Sequence, residues 1–414
     1  MHYEYNTISQ RRDKLNIIYA NNHNYIRGGA EKVYFDEINM LKANGHEVAE
    51  LSYNDNNSIK YVDYNEELLD DFKSSVFKKL GNIFWNYEAA SKLEKKLTEK
   101  KYQIFHGHNI HTRLSPSIIM KAKEFGLKTI ITLHDLKYVC PHYTMLHNNK
   151  ICEDCKGGSY YHALLNRCHK DSYVKSAIVA AELYNFQRLK LYDNVDTFIT
   201  PSLFFMNKYK EMGFKGKIIH IPNFIEIPKN INKSISNSTN KNYLYVGRLS
   251  YEKGIFVLLE ALKNNNYSLD IVGEGPLKSI LIDYVKKHDF QDRIHFHGHL
   301  PTNDVLQMVM DAKALIIPSE WYENAPITIL EALSVGKIVL GSNIGGIPEM
   351  VHDSKNGFLF TPGNADEINN TIIKCELLSD KNKKEFSDYS LELVNTIFSK
   401  EAHFNNLMKL YEEV

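Results

Sequence analysis

Two α/β domains, each built on a doubly wound parallel sheet, are predicted by three features of the sequence. Short apolar runs alternate with helix-compatible segments through both halves. Gly-rich turns follow several of these runs directly. The 414 residues also exceed one ordinary core, because domains hold roughly 100–200 residues. Apolar residues make up 43% and charged residues 24%, enough apolar surface to offset the entropy of ordering the chain, which excludes general disorder. Lys plus Arg number 50 and Asp plus Glu 50, so no molecule-wide field attracts nucleic acid or anionic lipid, and a nucleic-acid partner is not expected. The amino-terminal stretch lacks the apolar core of a secretory signal, and no run of about 18 apolar residues occurs, so the chain reads as cytoplasmic.

In order, Leu15–Ala20 reads as a strand, followed by a polar loop ending at Gly28-Gly29 and a helix carrying Tyr34, Ile38 and Leu41 on one face. Gly45 stops that helix. Further strands are read at Glu47–Tyr53, Gln103–His106, Thr129–Leu133 and Thr197–Thr200. The second half repeats the alternation at Tyr243–Arg248, Leu269–Gly275, Arg293–Gly298, Ala314–Ser319 and Lys337–Ser342. Residues 222–242 are rich in Asn, Ser, Lys and Pro and read as a linker. The expected organisation is a first domain over 1–221, a second over 243–394, and a terminal helix over 395–414 within a helical pattern that begins near Tyr389. Between Asp71 and Leu97, Phe72, Val76, Leu80, Ile83 and Tyr87 recur at helical spacing beside Lys73, Lys78 and Lys79. Such a helix either packs on the first sheet or offers a surface for peripheral membrane contact.

In parallel sheets ligands sit beyond the carboxyl ends of strands, so the chemistry is sought there. Arg248 and Lys253 flank one helix entrance, where free amides and a partial positive charge favour a diphosphate; the plain alternative is a turn with two solvated cations. Gly273-Glu274-Gly275-Pro276 forms another strand-to-turn junction, where absent side chains let a flat base approach the backbone. From Ala314 to Glu349 two such junctions follow in succession. Pro326 suits a first helical turn, which leaves the amides of Asn324, Ala325, Ile327 and Thr328 for an anion, and Gly345-Gly346 before Pro348 repeats the device. If Glu323 and Glu331 were both helical, eight steps of about 1.5 Å would part them by roughly 12 Å, beyond the roughly 5–9.5 Å that a glycosidase pair needs. Two hydroxyl-binding carboxylates fit better, Glu331 for a ribose diol and Glu323 for a sugar. Gly28-Gly29 can admit backbone to a ligand or simply turn the chain into a helix whose dipole Glu31 complements. His134-Asp135 follows an apolar strand and projects into the cleft expected between the halves.

Cys140, Cys152, Cys155 and Cys168 fall in one short segment. Cys152 and Cys155 have the gap of a zinc hairpin, and the outer two complete four ligands, so a closed, structural zinc site is expected, with His142, His147, His162 and His169 as substitute ligands. The alternative is a set of free thiols. Cys375 stands apart and is expected to pack in a helix.

The ordered set Gly28-Gly29-Ala30-Glu31, His134-Asp135, Pro222-Asn223, Gly247-Arg248, Glu252-Lys253-Gly254, Gly273-Glu274-Gly275-Pro276, the Glu323 to Glu331 spacing and Gly345-Gly346-Ile347-Pro348-Glu349 resembles family-four glycosyltransferases of the GT-B fold over nearly the whole chain. The resemblance implies two Rossmann-like domains facing a cleft and a terminal helix that crosses back to the first domain. It also implies transfer of a sugar from a nucleotide diphosphate donor, with retention of anomeric configuration and no metal required for the chemistry. By position it implies that Arg248 and Lys253 bind donor phosphates, that Glu323 contacts donor-sugar hydroxyls, that Glu331 contacts the ribose and that His134 contacts the sugar and the transition state. Asp135 has a supporting role. The donor contacts expected are Gly28, Gly29, Arg248, Lys253, Gly273, Glu274, Gly275, Pro276, Glu323, Asn324, Ala325, Pro326, Ile327 and Glu331. The expected acceptor is a glycan or lipid-linked molecule in surface polysaccharide or glycolipid assembly, met in the cytoplasm at the inner membrane face. A nucleotide-sugar epimerase on the same fold would convert donor without acceptor, and a non-catalytic nucleotide-sugar or zinc-stabilised module would release no nucleoside diphosphate.

Overall fold

The computed structural model describes residues 13–53, 76–226, 242–263 and 265–413. Two compact units emerge, Met1–Ile131 with Asn194–Asp196 and Thr132–Asp193 with Thr197–Val414.

The first unit holds β1 (Asn16–His23), α1 (Gly29–Ala43), β2 (Glu47–Tyr53), α2 (Val76–Phe84), α3 (Tyr87–Glu99), β3 (Ile104–Gly107), α4 (Ser117–Glu124) and most of β4 (Lys128–Thr132). β1 pairs in parallel with β2 on one side and β3 on the other. This central place explains its near-continuous apolar run, in which Ile17, Ile18, Tyr19 and Ala20 are fully buried. α1 turns Val33, Tyr34, Ile38 and Leu41 inward, and Gly45, at φ +87°, ends it.

One amphipathic helix across Asp71–Leu97 is not what forms. Residues 71–75 and the side chains of 76–79 lie outside the described residues, and the remainder is two helices. Asn86, fully buried, takes the Ala89 amide on its side-chain oxygen and donates from its amide nitrogen to the Tyr53 hydroxyl and the Arg113 carbonyl. A side chain so placed starts a new helix and ends the old one. Tyr87, expected on the apolar face, is 78% exposed, and α3 instead buries Ala89, Ala90, Leu93 and Leu97.

The second unit adds a hairpin of β5 (Leu146–His147) and β6 (Lys150–Ile151), then α5 (Tyr161–Leu165), α6 (Tyr173–Arg188), β7 (Thr197–Thr200), α7 (Leu203–Glu211) and β8 (Ile218–His220). It continues through β9 (Asn242–Val246), α8 (Ile255–Ala261), β10 (Ser268–Val272), α9 (Lys278–Lys287), β11 (Ile294–Gly298), α10 (Thr302–Asp311) and β12 (Leu315–Ile317). It ends with α11 (Ile327–Ser334), β13 (Val339–Ser342), β14 (Gly357–Phe360), α12 (Ala365–Glu376), α13 (Asp380–Thr396) and α14 (Lys400–Glu413). The strands order as β2-β1-β3-β4-β7-β8 and β11-β10-β9-β12-β13-β14. In the second sheet the order reverses between β9 and β12, the switch point at which doubly wound sheets bind ligands. Its core gathers Tyr243, Leu258, Leu269, Ile316, Leu340 and Ile372.

The strands expected from the apolar runs are present. β8, β14 and the β5–β6 hairpin were not expected, since each is short and half-exposed or lies among turn residues. The helical pattern from Tyr389 is two helices, because Ile397–Ser399 interrupts it and the Ser399 hydroxyl receives the Ala402 amide at 3.1 Å. α14 lies against the start of the expected linker: its His403 ring bonds the Pro222 carbonyl at 2.7 Å and meets Phe224. Residues 227–241 of that linker lie outside the described residues. Cys375 is buried in α12.

Candidate active site

The loops that leave β9 and β12 hold most of the candidate residues. After β9 the chain passes Gly247 and Arg248, makes a single tight turn over Tyr251–Lys253, and enters α8 through Gly254. Gly254 has φ +68°, and a Cβ there would stand 1.8 Å from the Pro318 carbonyl oxygen. Only glycine allows this approach, which locks the β9 loop to the β12 loop. The lock is completed by the Glu320 amide donating to the Glu252 carbonyl at 2.9 Å.

That contact sets Lys253 against Glu323. The ammonium lies 2.7 Å from one carboxylate oxygen, the Ser319 hydroxyl donates to the same oxygen at 2.6 Å, and the ammonium sits 4.8 Å from the centre of the Trp321 ring. Glu323 is 7% exposed. Burial alone raises a carboxyl pKa, but here the Lys253 charge and the hydrogen bonds from Lys253 and Ser319 outweigh it and hold Glu323 below its usual range. The result is an ionised carboxylate with a cation beside it, in a site mostly removed from water. One ammonium has three donors, so Lys253 can hold Glu323 and still reach a phosphate oxygen.

Arg248 is exposed at the loop tip, its carbonyl fixed by the Tyr245 hydroxyl at 2.8 Å. Gly273 and Gly275 have a local reason to be glycine: Cβ atoms there would lie 2.0 Å from the Gly247 carbonyl oxygen and 2.3 Å from that of Leu249. The pair therefore clamps the Arg248 loop, and Pro276 follows in the same turn. The Glu274 side chain is turned to Lys278 at 2.5 Å and is exposed.

α11 begins at Ile327 with Pro326 at the capping position, so Glu323, Asn324 and Ala325 are loop and Glu331 lies in the second turn of the helix, half-buried. The straight-helix spacing considered for Glu323 and Glu331 therefore does not apply. The second expected helix entrance, at Gly345-Gly346, is a single turn over Ile347–Glu349. Its amide is already used: Gly346 donates to the Glu323 carbonyl at 2.8 Å. A Cβ on Gly345, where φ is +62°, would meet that carbonyl oxygen at 2.3 Å, and one on Gly346 would meet the Asn324 carbonyl oxygen at 1.8 Å. These glycines brace the Glu323 loop and do not form a second anion cradle. We expect Gly346→Ala to fold, because its φ of −85° suits alanine, but to displace the loop, with a stability loss of about 1–3 kcal/mol. Donor affinity by calorimetry and the unfolding midpoint read both effects, and unchanged donor affinity would separate this contact from the site.

His134 follows β4 and is half-buried; its carbonyl and that of Leu133 accept from the Asn324 side-chain amide at 3.2 and 3.0 Å. The other face of Asn324 takes the Ser202 hydroxyl at 2.7 Å. Asn324 is thus a bracket between the His134 turn, the start of α7 and the Glu323 loop. Glu349 completes the bracket by accepting the Leu203 and Phe204 amides at 2.8 and 2.6 Å. Burial pushes the Asp135 carboxyl up to about 6 despite the Lys137 amide.

Gly28 and Gly29 belong to the first unit. Gly28 is extended and caps α1, with space in front of it out to the Glu31 carboxylate at 4.0 Å. Glu31 is raised by burial, yet it accepts hydrogen bonds from its own amide and that of Gly28. It thereby occupies the helix start, as the dipole reading expected.

The cysteine segment folds beside these loops. Cys140, Cys152, Cys155 and Cys168 all line one cavity of about 10 Å³, with His142 and Met212. None of the four is in a disulfide.

Sequence reading missed Ser319, Trp321, Tyr322, Ser202 and Glu153. Trp321 and Tyr322 were visible as aromatic loop residues next to Glu323; the others had no signal. It also missed a buried group in the first unit: Glu37 of α1 accepts from the Tyr19 hydroxyl at 2.9 Å and lies 3.4 Å from His108, while His106 bonds the same hydroxyl. Among the described residues these three are the group whose potential ligand atoms lie within 4.8 Å of one another.

Comparison with known proteins agrees with this arrangement. A model described as Glycosyltransferase Family 4 matches residues 27–228, and one described as Glycosyl transferases group 1 matches residues 226–391. An uncharacterized 42.6 kDa protein in the cps region of Klebsiella pneumoniae is 25% identical over 91% of this chain and 98% of its own length. A lipopolysaccharide 1,2-N-acetylglucosaminetransferase of Salmonella typhimurium is 29% identical over 58% of this chain and 66% of its own. Among solved structures, Anabaena HepE in complex with UDP and glucose superposes with a TM-score of 0.66 at 15% identity, over 97% of this chain and all of that one. That likeness speaks to the fold. With two family models meeting end to end, two parallel doubly wound sheets, and the matching motifs on the loops of the second, the chain belongs to the group 1, family-four glycosyltransferases of the GT-B fold.

Proposed function

We propose that this glycosyltransferase moves a sugar from a nucleotide diphosphate donor to a glycan or lipid-linked acceptor during surface polysaccharide assembly, with retention at the anomeric carbon. The observation that carries the donor reading is the Lys253–Glu323 pair at the β9/β12 switch point, fixed by glycine contacts and flanked by Trp321. Arg248 and Lys253 are the cations for the diphosphate, whose charge grows as the bond from the anomeric carbon to its oxygen breaks. Glu323 accepts hydrogen bonds from sugar hydroxyls, and Glu331 from the ribose. Gly273–Pro276 backs the base, and His134 contacts the sugar from the β4 turn. The bond formed joins the anomeric carbon to the acceptor oxygen, whose proton is given up, and the nucleoside diphosphate leaves. No metal is assigned to this step.

The HepE complex with UDP and glucose supports a nucleotide-sugar donor, and the Salmonella lipopolysaccharide transferase supports a surface-glycan acceptor. Retention is proposed from the family resemblance. A lipid-linked acceptor brings the enzyme to the inner membrane face from the cytoplasm; no helix among the described residues is long and apolar enough to cross a membrane. A panel of nucleotide diphosphate sugars, incubated with and without candidate lipid-linked acceptors and read by mass spectrometry, tests the reading. We expect acceptor-dependent release of nucleoside diphosphate from one donor. Isomerised donor without acceptor would show an epimerase, and binding without release under every acceptor would show a non-catalytic module.

A further inference from the structure

The cysteine segment is joined to the donor loop by a residue lying between two of its cysteines. Glu153, in the Cys152-Glu153-Asp154-Cys155 turn, accepts from the Tyr322 hydroxyl at 2.8 Å and from Lys208 at 2.7 Å. Tyr322 immediately precedes Glu323. Its ring lies 4.9 Å from Phe204 and 5.1 Å from the Lys208 ammonium, which is largely buried among these groups. The turn is tied a second time, by the Gly157 amide donating to the Met212 carbonyl at 3.0 Å.

The local fold brings the four thiols to one place. Asn148 and Asn149, at φ +50° and +58°, make the tight turn of the β5–β6 hairpin, and the Cys152 amide closes it on the Met145 carbonyl at 2.8 Å. Cys155 leads into the turn containing Gly157, Cys168 is held by the Ala163 carbonyl, and Cys140 by that of Leu136. The cavity of about 10 Å³ that the four cysteines line leaves room for roughly one small ion. A set of thiolates selects a soft-tolerant tetrahedral cation, which is zinc among the common divalent ions. Among the described residues the thiols are not at mutual ligating distance, so binding must turn them inward to the roughly 2.3 Å of a zinc–sulfur bond.

We propose that Cys140, Cys152, Cys155 and Cys168 bind one zinc ion, and that the site so closed positions the Tyr322–Glu323 loop through Glu153. Four thiols lose their protons to solvent as one Zn²⁺ is taken up, and no redox change occurs. Glu153 is a positioning residue: it touches neither metal nor donor. Its effect on transfer rests on the role of Glu323 proposed above, whereas metal content and loop order do not.

The test uses the full chain with Trp85→Phe, which leaves Trp321 as the one tryptophan of the two in the sequence. We expect about one zinc per chain by plasma mass spectrometry, and visible d–d bands typical of a tetrahedral thiolate site after exchange with cobalt. Chelation should shift Trp321 emission, and readdition of zinc should restore it. Glu153→Gln should keep the zinc, shift the emission in the same sense, and raise donor KM by at least about fivefold, a hydrogen bond to a charged group being lost, with kcat less affected. No zinc bound after reconstitution overturns the metal site. Zinc bound with Trp321 emission unmoved by both chelation and Glu153→Gln overturns the coupling. If Cys152→Ser fails to fold, chelation and Glu153→Gln still decide, because both keep every thiol. Absence of transfer from all donors with the emission shifts intact would count against the proposed donor chemistry alone.

Discussion

Glu323→Gln is expected to lower kcat/KM for transfer by about 10²–10³-fold, the scale on which removal of one preorganised polar contact acts in a dry site. The substitution keeps the shape and removes the charge. Three consequences converge: the sugar hydroxyls lose a charged acceptor, Lys253 loses the partner that fixes its ammonium at 2.7 Å, and the Ser319 hydroxyl must find a neutral oxygen. The carboxylate is held below its usual pKa range, so wild-type activity should not titrate through Glu323 at neutral pH. Folding should persist, since an amide fills the same volume and can still accept from Ser319. Steady-state kinetics beside circular dichroism checks this; turnover within threefold of wild type would refute the role of Glu323.

The second large effect lies at a buried ion pair outside the donor loops. Lys137 and Glu182 meet at 2.6 Å with 6% and 0% of their side chains exposed, and Lys137 also donates to the Pro141 carbonyl at 3.0 Å. Together they anchor the chain between Asp135 and Cys140 to α6. Removing one partner leaves a buried charge without compensation, a loss of about 3–5 kcal/mol, whereas replacing both by apolar groups of similar volume is often neutral. Lys137→Met should therefore lower the denaturant midpoint strongly, and Lys137→Met with Glu182→Leu should recover most of it. An unfolding free energy for Lys137→Met within about 1 kcal/mol of wild type would show that water or relaxation compensates Glu182.

Much of the fold was readable because it rests on local signals. The buried runs at Ile17–Ala20 and Leu315–Ile317 are apolar because parallel strands are covered on both faces, and helices stop where glycine or a capping side chain permits. Where a signal was local but ambiguous, the reading failed: the spacing of Leu80, Ile83 and Tyr87 suits one helix, yet Asn86 finds buried partners contributed by Tyr53 and Arg113, distant in sequence, and divides it. The glycine pairs were recognised for the right residue and in part for the wrong reason. Gly345-Gly346 looked like an anion cradle from its neighbours in sequence, whereas its amide and its missing Cβ atoms serve Glu323 and Asn324, some twenty positions earlier.

By itself the sequence determined the class of fold, the family and the identity of Arg248, Lys253, Glu323, Glu331 and His134 as candidates, because each lies at a fixed offset from a strand or a glycine and short-range geometry dictates those offsets. Tertiary structure alone decided that Lys253 and Glu323 form one unit, that Asn324, Ser202 and Glu349 bracket the loop, and that Glu153 ties the cysteine turn to Tyr322. Such pairings join residues 70 to 169 positions apart. Nothing in local propensity encodes them, since they exist only once packing has brought separate loops to hydrogen-bonding distance and removed the water that would otherwise compete.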